Sequence, residues 1–120
     1  MILKLSWPAP ALWPNRAAGK HWGEKHAAKV AAREAGYYAA IEALTDKIMF
    51  EGHIPLSIVF CASSARRFDL DGALSALKPA LDGIAQALEI DDSRFGPVVL
   101  HRGAVGKPGA VIVGVGVEAA

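Results

Sequence analysis

The residues best suited to chemistry fall in one stretch, Arg66-Arg67-Phe68-Asp69-Leu70-Asp71-Gly72, followed beyond an apolar periodic segment by Asp91-Asp92. Carboxylates are hard oxygen donors. Mg²⁺ needs only two or three of them, because it keeps several waters and shares the rest of its shell with substrate phosphate. Asp69 and Asp71 are two positions apart, so on an extended strand end both point the same way. Asp92 joins them only if the loop after the periodic segment folds back. A plainer reading stands beside this one: Asp is favoured at helix N-caps and in turns, which are roles open to all four aspartates. Lys78 follows Asp71 by close to two helical turns, so a continuous helix returns it to the Asp71 face. There an ammonium can stabilise charge on a phosphate or a leaving oxygen. The alternatives are an i,i+4 pair with Asp82 or a solvated lysine.

The net charge of +1 hides a division. Residues 1–34 carry Lys4, Arg16, Lys20, Lys25, Lys29 and Arg33 against Glu24 and Glu34, for +4. Residues 68–92 carry Asp69, Asp71, Asp82, Glu89, Asp91 and Asp92 against Lys78, for −5. One part attracts a polyanion and another a cation, which is what a nuclease requires. Scattered surface charge gives the same totals. Lys25, Lys29 and Arg33 recur every four residues and share a helical face. With Arg16 and Lys20 just upstream they are candidate phosphate contacts, and a solvated face is the alternative. Should that stripe not bind, Arg66, Arg67 and Arg94 are the next candidates.

These residues need elements to hold them. Leu3, Leu5 and Trp7 alternate with polar residues, as in a half-buried strand. Pro8, Pro10, Pro14 and Asn15 make an ordered loop. From about Lys20 to Lys47, Val30, Tyr37, Ile41, Leu44 and Ile48 form one apolar helical stripe. Ile54 to Ala62 reads as a second strand. A second helix runs from about Asp71 to Leu88, with Leu74, Leu77, Leu81, Ile84 and Leu88 on one side. Pro79 in its middle allows a kink or two abutting helices. After the loop Asp91–Gly96, residues Val98–Val105 and Ala110–Val117 read as strands joined in a hairpin through Gly106-Lys107-Pro108-Gly109. The expectation is an α+β fold in the order β-α-β-α-β-β, with a mixed or antiparallel sheet and two main helices, in a single domain spanning residues 1–120.

The chain has 120 residues, 52% of them hydrophobic, which suits one domain with a real core. Its one cysteine, Cys61, forms no intrachain disulfide and reads as a small core residue. No apolar run reaches the ~20 residues of a membrane helix, and Met1–Trp7 is too short for a signal peptide. A cytoplasmic location follows by default.

Phe68-Asp69-Leu70-Asp71-Gly72 also resembles the nucleophile motif of haloacid-dehalogenase-type phosphatases. That motif needs a buried strand running into the first Asp, and here Ala65, Arg66 and Arg67 precede it. It also continues with Thr, where this chain has Ala73.

The order Arg66-Arg67, Asp69-Leu70-Asp71-Gly72, Lys78, Asp82-Gly83 and Asp91-Asp92 resembles the core signature of RusA-like Holliday junction resolvases. Trp7-Pro8, Pro14-Asn15-Arg16 and His21-Trp22 resemble that family's opening loop and basic helix. The resemblance implies a homodimeric, Mg²⁺-dependent endodeoxyribonuclease, with Mn²⁺ as a substitute metal, that cleaves branched DNA in recombination and repair. It implies Asp69, Asp71 and Asp92 as metal-binding carboxylates and Lys78 as the catalytic lysine. Two positions depart from the pattern: Gly72 stands where the family has Asn, and Lys78 lies about one helical turn farther from the aspartates. A non-catalytic DNA-binding relative is the alternative that Gly72 favours.

Overall fold

The computed structural model describes residues 1–14, 22–44 and 49–119. Among the described residues four strands and two long helices follow in the expected order: β1 (Ile2–Leu5), α1 (Trp22–Ala43), β2 (Ile54–Cys61), α2 (Leu70–Ala87), β3 (Phe95–Arg102) and β4 (Ala110–Val115). Short 3₁₀ turns at Pro10–Leu12 and Asp92–Arg94 precede α1 and β3. The sheet is mixed, in the order β1-β4-β2-β3. β4 is antiparallel to both β1 and β2, whereas β3 is parallel to β2. The fold is α+β.

The expected hairpin does not form. β3 and β4 lie on opposite sides of β2, because α2 carries the chain over the sheet and returns it parallel to β2, as a strand-helix-strand crossover does. The Gly106–Gly109 turn is present, with the Gly109 N–H on the Gly106 carbonyl at 2.8 Å, but it crosses the end of β2, where the Gly106 N–H meets the Ala62 carbonyl at 2.9 Å. Two strands with turn residues between them specify a reversal, not which neighbour the second strand pairs with.

The core lies between one sheet face and the helices. Ile54, Leu56, Ile58 and Phe60 of β2 and Val111, Val113 and Val115 of β4 point into it at every second position. Leu77, Leu81 and Ile84 of α2 meet them, with Leu74 and Leu88 packed at the margin. Each fully buried side chain of this kind contributes ~1.5–3 kcal/mol. Pro79 does not divide α2, which is one helix from Leu70 to Ala87.

α1 corrects the apolar stripe read for it. Val30 and Ile41 are 37% and 41% exposed, and the buried positions are Gly36 and Ala40. The reason is a close helix crossing. A Cβ at Gly36 would run into the Ala80 carbonyl, and one at Gly83 into the Arg33 carbonyl. Only small residues let two backbones approach so far, so the contact face is the one poorest in large side chains. Ile48 lies outside the described residues. Among the described residues no helix is long and apolar enough to cross a membrane.

Candidate functional site

β2 and β3 share a direction, so their carboxyl ends lie together, and a groove of about 700 Å³ opens beyond the end of β2. Its wall is built from the linker and the first turn of α2. Arg66, Arg67, Phe68, Asp69, Asp71, Gly72 and Ser75 line it, with Trp7 and Trp13 from the loop after β1. Both aspartates are exposed, as are both arginines.

Asp69 is the N-cap of α2. Its backbone is extended and its Oδ2 accepts the Gly72 N–H at 3.1 Å, satisfying one of the free donors of a helix start. Asp71 already lies in the first turn. The pair therefore shares the groove not through strand alternation but through a cap and the turn it caps. Gly72 has a local reason to be glycine, since a Cβ there would stand 2.6 Å from Asp69 Oδ1. A side chain at 72 would displace the carboxylate.

The aromatic floor of the groove had a visible signal, the repeated Trp-Pro of Trp7-Pro8 and Trp13-Pro14, yet its role was not read from it. Trp7 packs on Trp13 with ring centroids 5.7 Å apart and stands edge-on to Phe68 at 5.1 Å. Trp13 Nε1 donates to the Pro8 carbonyl at 3.3 Å, which fixes the loop. Arg102, at the end of β3, lies over the Phe68 ring at 4.6 Å, a cation–π contact that adds a third guanidinium at this end of the sheet. Arg102 was missed because it is one cation at the end of an apolar strand.

Asp82, Asp91 and Asp92 sit elsewhere. Asp92 leans on Asp82, which follows Asp71 by eleven positions, about 16 Å along the helix. Burial, then a hydrogen bond that the protonated Asp82 carboxyl donates to Asp92, and the charge of Asp92, push the Asp82 carboxyl above the usual carboxylate range, while Arg33 and Lys78 pull it back. Asp91 caps the short 3₁₀ turn, and the Ser93 N–H at 2.8 Å on its Oδ1 holds its carboxyl below the usual range. Among the described residues no three His, Cys, Asp or Glu side chains are grouped as metal ligands. Two of the three expected carboxylates thus come together within the chain, and Asp92 stands apart from them. Lys78 shares the outer face of α2 with Asp71 and Asp82 and lies between them.

Of the candidate phosphate contacts, Lys25 is half-buried on α1 and Lys29 and Arg33 are exposed, while Arg16 and Lys20 lie outside the described residues. Arg94 does not belong to the same surface as Arg66 and Arg67. Its Nε donates to the Gly52 carbonyl at 3.0 Å and its Nη2 to the Phe50 carbonyl at 2.6 Å, tying the approach to β2 at the far end of the sheet.

The residues present fit a divalent cation in part. Asp69 Oδ1, kept clear by Gly72, and the exposed Asp71 carboxylate supply two hard donors, and two carboxylates are what Mg²⁺ commonly takes beside substrate phosphate. A phosphatase of the haloacid-dehalogenase type is not supported. β2 ends at Cys61, well before Asp69, and the sheet is not doubly wound.

No protein-family model matches the chain. It is 34% identical over 119 residues to an uncharacterized protein of Xylella fastidiosa, in a match that covers 92% of this chain and 72% of that relative.

Proposed function

The chain belongs to the same family as this Xylella fastidiosa protein, and we propose that it is a Mg²⁺-dependent endodeoxyribonuclease acting on branched DNA in the cytoplasm. The observation that carries the reading is the composition of one groove: two exposed aspartates beside two exposed arginines over a tryptophan floor. Carboxylates suit a cation, guanidiniums suit phosphate through paired N–H donors, and aromatic edges suit an unstacked base.

Asp69 and Asp71 would hold the cation, with Mn²⁺ as a substitute. When bound, it supplies charge neutralisation at the scissile phosphate and an acidified water. Arg66 and Arg67 orient the backbone on either side of the break. Trp7 and Trp13 give the groove a rigid apolar floor, and Lys78 is the candidate for charge developing on the departing oxygen. Asp92 stands some three helical turns from Asp71, so in this reading it enters the groove from the second subunit of a homodimer.

The test sets branched DNA against linear duplex, each with Mg²⁺ and with EDTA. Mg²⁺-dependent cleavage of the branched substrate is expected. Asp71→Asn and Asp92→Asn proteins, each inactive alone, should regain part of the activity when mixed, because one groove in a mixed dimer is then intact. Binding without cleavage under every condition would favour the second reading, a DNA-binding relative without catalysis. The grouping of two carboxylates, and not three, among the described residues is what supports that reading.

A further inference from the structure

The sheet has two edges, and they differ. β1 has four residues and carries Lys4, a short and charged edge that discourages further pairing. β3 has eight residues, and its Val98 and Val99 are 40% and 49% exposed. Its pairing with β2 fixes which backbone groups are free. The Gly103 N–H donates to the Phe60 carbonyl at 2.8 Å, and Phe60 lies opposite Arg102 in the parallel register. Successive residues of such a strand turn their backbone groups to opposite sides. Val99, His101 and Gly103 therefore face β2, and Val98, Leu100 and Arg102 turn both N–H and C=O outward. Pro97 falls in the inward set, so its missing N–H leaves the outer row unbroken. No described strand pairs with that row.

We infer that the outer edge of β3 is the surface on which a second copy of this chain docks, antiparallel about Leu100, joining the two sheets into one. The edge is self-complementary about that centre. Leu100 meets its own copy, Val98 faces the second copy's Arg102, and Val99 faces its His101, so no two cations oppose each other. About six backbone hydrogen bonds close on the dyad, two for each outward residue facing its opposite. The ends agree as well. Antiparallel docking lays the Asp91–Asp92 end of one copy's β3 beside the Arg102 end of the other's, so opposite charges meet at both ends of the interface. An unrelated extended peptide offers no such reciprocity. The resolvase resemblance implies a homodimer without assigning it a surface, and the inference does not depend on cleavage.

Sedimentation equilibrium on the full chain, from low to high micromolar concentration, tests it. The wild type should dimerise. Val98→Lys sets a lysine against Arg102 twice and should weaken the dimer about tenfold, whereas Val98→Glu sets a carboxylate there and should hold or tighten it. Position 98 is exposed, and circular dichroism checks that both variants fold. A monomeric wild type overturns the inference, as does any outcome in which lysine is not the more damaging of the two. Amide exchange on the wild type gives a second reading without substitutions: the Val98, Leu100 and Arg102 N–H groups should gain protection with concentration. If they stay as exposed at high concentration as at low, the docking edge is not β3.

Discussion

The parallel pair β2–β3 has two ends, and charged residues gather at both, yet they are used differently. At the amino end, Arg94 spends its guanidinium on the Phe50 and Gly52 carbonyls, Asp91 holds the Ser93 N–H, and Asp82 and Asp92 face each other. At the carboxyl end, Asp69 gives one oxygen to the Gly72 N–H, and Asp71, Arg66 and Arg67 stand exposed around a groove. In the first set Arg94 and Asp91 are bound to the backbone and Asp82 and Asp92 to each other, whereas in the second Asp71, Arg66 and Arg67 are open to a ligand. Counts of charge along the chain do not separate them, since the run from 68 to 92 draws its acidic residues from both ends. What separates Arg94, Asp91, Asp82 and Asp92 from Asp71, Arg66 and Arg67 is whether the fold has already claimed the group.

The sharpest way to break this comparison is to remove one carboxylate from each end. Asp71→Asn should lower Mg²⁺-dependent cleavage of branched DNA by ~100-fold or more, the scale seen when a group that stabilises transition-state charge is lost. Binding should hold or tighten slightly, since a negative charge near phosphate is gone. Asp91→Asn should leave cleavage within a few-fold of the wild type. Equal losses in single-turnover assays of the two variants would erase the distinction. Asp69→Asn should also lose cleavage with little change in stability, because Asn caps a helix about as well as Asp.

The arginines should behave in the opposite sense. Arg94→Ala removes two charge-assisted hydrogen bonds to backbone carbonyls and should cost ~2 kcal/mol in urea unfolding. The Arg66→Ala, Arg67→Ala pair should leave the unfolding midpoint nearly unchanged, because exposed charges without a claimed partner contribute little, and should instead weaken DNA binding. A third region decides how far the binding surface extends. Changing Lys25 and Lys29 together to Ala should flatten the salt dependence of binding by a slope of up to ~2 if both touch phosphate. An unchanged slope confines the surface to the groove.

Much of this was legible beforehand, and the reasons are local. A run of β-branched and large apolar residues named β2, alternation named β1, and the Leu77–Leu81–Ile84 spacing named α2, because buried strands and one helix face carry large side chains in recognisable patterns. The order of elements followed. The partners of β3 and β4 did not, because pairing is decided by where a crossover helix returns the chain, a tertiary matter. α1 misled because its buried face is marked by Gly36 and Ala40, residues a hydrophobic pattern overlooks, while Val30 and Ile41 face outward. At the site, Asp69 and Asp71 were legible from their spacing, though the cap geometry that unites them was not the strand end expected. Asp92 could not be placed, because a helix of known length fixes the distance to its far end but not which side chain there receives the loop. Asp82 does, and it had been read as a partner for Lys78 and as the Asp82-Gly83 step of the resemblance, not as a neighbour of Asp92.

The smallest expected effect tests the amino end by itself. Burial, then the hydrogen bond and charge of Asp92, raise the Asp82 carboxyl above its ordinary range, against the opposing pull of Arg33 and Lys78. A carboxyl raised on folding contributes stability below its unfolded pKa, near ~3.9, and loses it as pH rises through the folded value. The charge on Asp82 is therefore unfavourable in the folded chain, and Asp82→Asn removes it. Solvent screens the pair, so the gain is held to about 0.5 kcal/mol, roughly 2 °C in the melting temperature. It should shrink as pH falls and vanish below ~3.5, where the wild-type carboxyl is protonated in both states. Melting curves of both proteins from pH 3 to 7, in EDTA, give the comparison. A variant that melts lower than the wild type at pH 7 would mean that Arg33 and Lys78 outweigh Asp92, and that Asp82 is an ion-pair partner whose charge the fold needs.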